Sequence, residues 1–238
     1  MTFVLPPPPQ PRLRVAGTAG PDTWFPVRRI YCVGRNFADH AREMGAAVPE
    51  GADRGTPVFF RKPADALGPD GGDVPYPPGT RELHHEVELV VALASDAPRG
   101  PVPVADAGAL VFGYGVGLDL TRRDLQAVAK AKGLPWDIGK SFDFAAPAST
   151  LLRAADVGAL SDRTLSLEVD GTTRQSSTLD HMVWSVPEIL HELSKLYALR
   201  AGDLVFMGTP AGVGPLLPGN TFRATLDDLL ELQGTITG

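Results

Sequence analysis

Apolar runs along this chain are short, and most end within about eight positions at a Gly, Pro, Asp or Asn, the pattern of strands rather than long helices. Strands are predicted over residues 27–33, 57–60, 85–93, 110–120, 165–172 and 202–208. The strand at 165–172 runs into an Asp170-Gly171 turn, and residues 221–237 read as a closing strand pair around Asp227-Asp228. The clearest amphipathic helix spans 186–199, with Pro187 tolerated in its first turn. Two more helices are predicted at 36–44 and 121–132. The second takes Thr121 as N-cap and ends at Gly133-Leu134-Pro135. The sum is an α+β chain, β-rich, with a few short helices. Residues 1–26 form a proline-rich N-terminal arm packed on a body that spans 27–238, and residues 67–80 form a loop.

Composition agrees with this picture. Gly (26) and Pro (23) together make about a fifth of the 238 residues, which favours turns over long helices. At 43% hydrophobic the chain can bury a sizeable core. The net charge of −6 and the absence of any Lys/Arg-rich run argue against nucleic acid as a partner. No apolar run is long enough for a membrane span, and the N-terminus lacks the basic and apolar regions of a signal peptide. Cys32 is the single cysteine, so no intrachain disulfide can form, and on an apolar strand it reads as core. A cytoplasmic protein is expected.

The most informative polar positions interrupt apolar strands. Glu86 and Glu88 lie two residues apart, which puts both side chains on one face of a strand, and Asp119 follows about thirty residues later. Three carboxylates with no nearby cysteine suit a hard divalent cation, Mg²⁺ or Mn²⁺. The competing reading is a solvated edge strand, with Asp119 capping the next helix. His40 and Glu43, three apart on a helix, can share a water as a general-base pair, or form a local surface ion pair. Lys140, in Gly139-Lys140-Ser141, can meet an anion or be a plain surface lysine. Arg123 and Gln126 share a helix face beyond Asp119, either toward a substrate carboxylate or toward solvent. Thr209, in the glycine-rich 208–214 segment, offers a hydroxyl where the backbone can approach closely, or sits in an ordinary turn. Alternation puts His84 on the Glu86 face, while His181 and His191 read as structural or surface residues. No HExxH, nucleophile elbow or nucleotide loop is present.

Taken in order, residues 30–40, 84–89, 117–126, 139–142 and 208–214 resemble the fumarylacetoacetate hydrolase family over most of the chain, from about residue 27 to the end. The likeness is to its short, single-domain members, the acylpyruvases and bacterial fumarylpyruvate hydrolases. The resemblance implies a mixed β-sandwich roll, a homodimer, and Mg²⁺ or Mn²⁺ held by Glu86, Glu88 and Asp119. It implies that residues 27–238 are the catalytic domain, that His40 and Glu43 activate water, and that Lys140 supports catalysis. Arg123, Gln126 and Thr209 become substrate contacts. Two departures are small: Ala64 follows Lys62-Pro63 where many relatives carry serine, and Phe37 stands where tyrosine is frequent.

The activity this implies is hydrolysis of a 3-acylpyruvate, foremost fumarylpyruvate to fumarate and pyruvate, in aromatic (gentisate) breakdown. A fumaryl tail needs a cation for its distal carboxylate, and Arg35, Arg61 and Lys62 are the candidates. The rivals are oxaloacetate decarboxylation or isomerisation of unsaturated diacids on the same metal site, and, from another class, a catalytically silent metal-binding protein.

Overall fold

The computed structural model describes residues 3–17, 23–43, 54–68 and 72–238. Its centre is a six-stranded sheet in the order Leu152–Arg153, Val111–Leu118, Val87–Leu93, Asp203–Phe206, Arg29–Gly34, Val58–Lys62. All neighbours are antiparallel except Asp203–Phe206 beside Arg29–Gly34. A five-stranded sheet (Thr172–Thr178, Thr164–Val169, Thr221–Leu226, Leu230–Thr237, Val74–Pro75) is the second large layer. Gly214–Leu216, Leu83–His85 and Thr121–Arg122 make a small third sheet. This is the β-rich sandwich roll that the resemblance implied.

The central sheet is covered on both faces. One core joins Leu89, Val91, Val116 and Leu118 to Leu165, Leu167, Ala224 and Leu226 of the second sheet and to Ile189, Leu190 and Leu193 of a helix. On the other face, Val90, Ala92, Leu204 and Phe206 pack with Leu13 and Phe25. Those two come from a short antiparallel pair, Arg12–Arg14 with Trp24–Pro26. A strand buried on both faces shows a continuous apolar run instead of alternation, which is why every residue of Val87–Leu93 is buried. Gly113, Gly115 and Gly117 lie in the Val111–Leu118 strand, as expected, and not in a nucleotide loop. A Cβ on Gly117 would come within 2.7 Å of the Phe206 ring, so that position admits no side chain.

The helices are shorter than the sequence pattern suggested. The helix near residue 40 is Ala38–Glu43, and the expected end at Met44 lies outside the described residues. The next long helix begins at Arg123, not Thr121, and runs to Lys132 with left-handed Gly133 closing it. Thr121 instead sits in a short strand, and its hydroxyl donates to the Asp119 carbonyl, so neither residue caps that helix. The amphipathic helix is Val186–Leu196, opened by a Ser185/Glu188 capping box with Pro187 in the first turn. The closing pair is Thr221–Leu226 with Leu230–Thr237, as predicted. Among the described residues, no helix is long and apolar enough to cross a membrane.

Candidate metal and substrate site

One antiparallel pairing closes the thirty-residue gap between the acidic motifs. Val87 pairs with Leu118 and Glu88 with Gly117, and the Asp119 N–H donates to the Glu86 carbonyl at 2.8 Å. Glu86 sits at the joint between the Leu83–His85 and Val87–Leu93 strands, while Glu88 is inside the second. The three carboxylates bring one oxygen each to within 4.8 Å of one another. Glu86 is 5%, Glu88 1% and Asp119 1% exposed, which rules out the solvated edge-strand reading.

Cations surround part of this cluster. The Lys140 ammonium, from the short Asp137–Lys140 helix, donates to Glu86 Oε2 at 2.6 Å and Asp119 Oδ2 at 2.7 Å. Lys140 is therefore no surface lysine. Gly139 allows this placement, since a Cβ there would lie 3.0 Å from the Gln126 backbone nitrogen. Arg123 donates to Glu86 Oε1 and, at 2.6 Å, to Gln126 Oε1. The Lys62 ammonium is 2.8 Å from Asp119 Oδ1 but donates to the carbonyls of Leu120 and Lys140. Oδ1 itself is buried and accepts no hydrogen bond.

The electrostatics of the three acids differ. Burial pushes Glu86 up, but Lys140 and Arg123 outweigh it and hold the carboxyl well below the usual range. Burial, with Asp119 and Glu86 beside it, pushes Glu88 well above that range, since its single donor among the described residues is the Gly208 N–H at 2.7 Å. Burial lowers Lys140, yet Asp119 and Glu86 raise it further, so the ammonium stays charged. A buried oxygen held only by its ion pair with Lys62 and a buried carboxyl that resists ionising are what a hard divalent cation would satisfy. The donor set fits such an ion, with Glu86, Glu88 and Asp119 as its ligands.

A pocket opens over the cluster, lined by Arg35, His40, Phe60, Arg123, Gln126, Lys130, Trp136, Lys140 and Thr209 besides the three acids. His40 is buried and its Nδ1 lies 3.4 Å from Glu43 Oε2. Burial lowers the His40 pKa against the raising effect of Glu86 and Glu43, so the imidazole is a neutral base at physiological pH. Both Glu43 oxygens also accept the Gly212 N–H at 3.2 Å. The helix bearing His40 is thus tied to the 208–214 segment. Gly212 has φ +95°, and a Cβ there would stand 2.1 Å from the Arg174 carbonyl.

All ten residues expected at the site meet around this pocket, Glu43 through His40. Arg35 reaches the rim with a left-handed φ of 62°. Of the other distal-carboxylate candidates, Lys62 is fully buried against Asp119 and has no free face for substrate, and Arg61 stacks over Tyr197. Three contributors were missed. Lys130 lines the pocket 5.2 Å from the Trp136 ring centroid, but in sequence it was one of several lysines on a helix. Asn36 donates to the carbonyls of Met207 and Trp184, fixing the turn after Val33 against Gly208. Gln175 comes from the second sheet and bonds to Thr209. Its only sequence signal was an amide in a strand of small polar residues. His84 accepts from Arg123 at 3.4 Å, and His85 is buried against Gln175. Cys32 is fully buried, and burial pushes its thiol up, in keeping with a core residue.

The family model described as "Fumarylacetoacetate (FAA) hydrolase C-terminal" matches residues 29–237. The crystal structure of fumarylpyruvate hydrolase from Pseudomonas aeruginosa in complex with Mn²⁺ and pyruvate is 42% identical, with a TM-score of 0.90 and 99% of each chain covered. The mitochondrial oxaloacetate tautomerase of Arabidopsis thaliana is 41% identical over 205 residues, 86% of this chain and 89% of that one. The oxaloacetate tautomerase of Escherichia coli is 40% identical over 204 residues, 85% of this chain and 90% of its own.

Proposed function

Because this chain belongs to the fumarylacetoacetate hydrolase family and carries the site of a metal-dependent enzyme acting on small molecules, we propose that it hydrolyses a 3-acylpyruvate, fumarylpyruvate before others. The observation that carries this reading is the pairing of a buried neutral imidazole, His40, with Glu43 at the mouth of a pocket floored by three buried carboxylates. Supporting it, the fumarylpyruvate hydrolase structure is 42% identical and covers 99% of this chain, the N-terminal strand pair included in that extent.

Bound at Glu86, Glu88 and Asp119, a divalent cation supplies a Lewis acid that polarises substrate oxygens. The chain's own groups do the rest. Arg123, Gln126 and the Thr209 hydroxyl orient the pyruvyl carboxylate. His40 Nδ1 faces Glu43, which leaves Nε2 to take a proton from water. The hydroxide so formed adds to the distal acyl carbonyl. The C–C bond then breaks, its electron pair passing to the pyruvyl carbon as an enolate that takes the proton held on His40 to give pyruvate, and the acyl group leaves as a carboxylic acid that ionises to the carboxylate. Lys140, held charged by its acidic neighbours and lining the pocket, supplies positive charge to the growing enolate in this reading.

A second reading, keto–enol tautomerisation of oxaloacetate, is favoured by the two tautomerase relatives. It needs the same neutral base to move a carbon-bound proton, and no attacking water. Ultraviolet decay of fumarylpyruvate, acetylpyruvate and oxaloacetate, each with Mn²⁺ and with chelator, separates the two. Metal-dependent release of fumarate and pyruvate supports the hydrolase. Rapid enol–keto exchange of oxaloacetate with both acylpyruvates untouched replaces it with the tautomerase.

A further inference from the structure

Gln175 is 1% exposed and projects from the Thr172–Thr178 strand of the second sheet into the base of the site. A primary amide offers two donor hydrogens and two acceptor lone pairs, and here all four are used. Nε2 donates to Thr209 Oγ1 at 2.8 Å and to the Pro210 carbonyl at 2.8 Å. Oε1 accepts the Val87 N–H at 3.1 Å and pairs with His85 Nδ1 at 2.8 Å. The Val87 N–H can only donate, so the amide has one orientation. Oε1 can only accept, so His85 must carry its proton on Nδ1. Thr209 Oγ1 receives a hydrogen from Gln175, and its own proton reaches no protein acceptor among the described residues. Thr209 lines the pocket.

We infer that Gln175 is a positioning residue of this enzyme: by filling the acceptor side of Thr209 Oγ1 it presents the hydroxyl to substrate as a donor, and by holding Val87 it fixes that donor relative to Glu86. The same side chain therefore couples the metal-ligand strand to the 208–214 segment that grips Glu43. An apolar side chain in its place would leave four polar partners to rearrange and would free the Thr209 hydroxyl to turn.

This inference rests on the reading of Thr209 as a substrate contact, and its test is built to fail separately. Gln175→Met, Thr209→Val and the double variant are compared by calorimetric affinity for pyruvate in Mn²⁺-loaded protein, alongside Mn²⁺ affinity itself. Each single variant is expected to weaken pyruvate about tenfold, the loss of one hydrogen bond to a charged group. The double variant is expected to be no weaker than Gln175→Met alone, because both changes remove one interaction. A residue that merely supports the fold gives losses that multiply, and that result, or pyruvate affinity in Gln175→Met within twofold of the parent, overturns the inference. Should Gln175→Met fail to fold, or the parent protein fail to bind pyruvate, ¹⁵N NMR of the unsubstituted protein decides. A His85 Nδ1–H tautomer upholds the network, and an Nε2–H tautomer ends it. Absence of pyruvate binding and of turnover with that tautomer present would sink the proposed function and leave the network standing.

Discussion

The Lys140 ammonium donates to Asp119 Oδ2 at 2.7 Å, and both groups are almost wholly buried. With Glu86 Oε2 2.6 Å away, Lys140 bridges two buried carboxylates, beside Arg123 on Glu86 and Lys62 on Asp119. Removing one partner of a buried ion pair leaves uncompensated charge, at a cost of about 3–5 kcal/mol. Lys140→Met is therefore expected to lose roughly that much stability in metal-free protein. Saturating Mn²⁺ should recover a large part, since a dication then balances the acids. Urea unfolding with chelator and with Mn²⁺ checks both statements, and equal losses in the two conditions would contradict them.

Burial lowers the His40 pKa from 6.5, and Glu43 works against that effect. The base must be neutral to accept a proton, so kcat/KM falls as pH drops through a midpoint below 6.5. In Glu43→Gln the raising partner is gone, so the midpoint moves further down, a direction a surface ion pair would not produce in the rate profile. His40→Ala should lose about 10²–10⁴ in hydrolysis while keeping Mn²⁺ affinity. Full activity in that variant would remove His40 from the mechanism.

Three histidines resist protonation in the folded chain. Burial, helped by Arg123, lowers His84 to about 4, and burial also lowers His40 and His85. The unfolded chain takes up protons near 6.5, so it binds more than the folded chain below that pH. Stability of metal-free protein should be fully present above about 6.5 and fall on acidification, with the His84 share lost between 6.5 and about 4. Thermal unfolding of the parent and of His84→Gln across this window is the measurement, and the variant should show the shallower fall.

Lys130 and Arg35 line the pocket along with the apolar rings of Phe60 and Trp136. If this wall receives a distal carboxylate, Lys130→Met raises KM for fumarylpyruvate about tenfold or more, the value of one charged hydrogen bond, and leaves acetylpyruvate unchanged. Equal effects on the two substrates would mean that Lys130 shapes the pocket without reading the tail.

The sequence by itself determined which residues were candidates to carry chemistry. Carboxylates in apolar strands must be paired, solvated or bound to a metal, so Glu86, Glu88 and Asp119 announced themselves wherever the fold put them. The same holds for His40 with Glu43 and for Arg123 with Gln126, because residues three apart on a helix share a face whatever surrounds it. Strand periodicity likewise located the Val87–Leu93, Val111–Leu118 and closing strands to within a few residues.

Tertiary structure alone decided which groups meet. The pairing of Val87 with Leu118 brings residues 86 and 119 side by side, and no local rule specifies that register. Lys62 looked like a free cation in sequence, yet it ends a strand whose neighbours supply the Leu120 and Lys140 carbonyls and the Asp119 carboxylate, so its charge is spent inside the protein. Gln175 and Lys130 were silent for a related reason. An amide or an ammonium is ordinary on a strand or helix in water, and it acquires a role only when distant segments close around it and remove the solvent that would otherwise satisfy it.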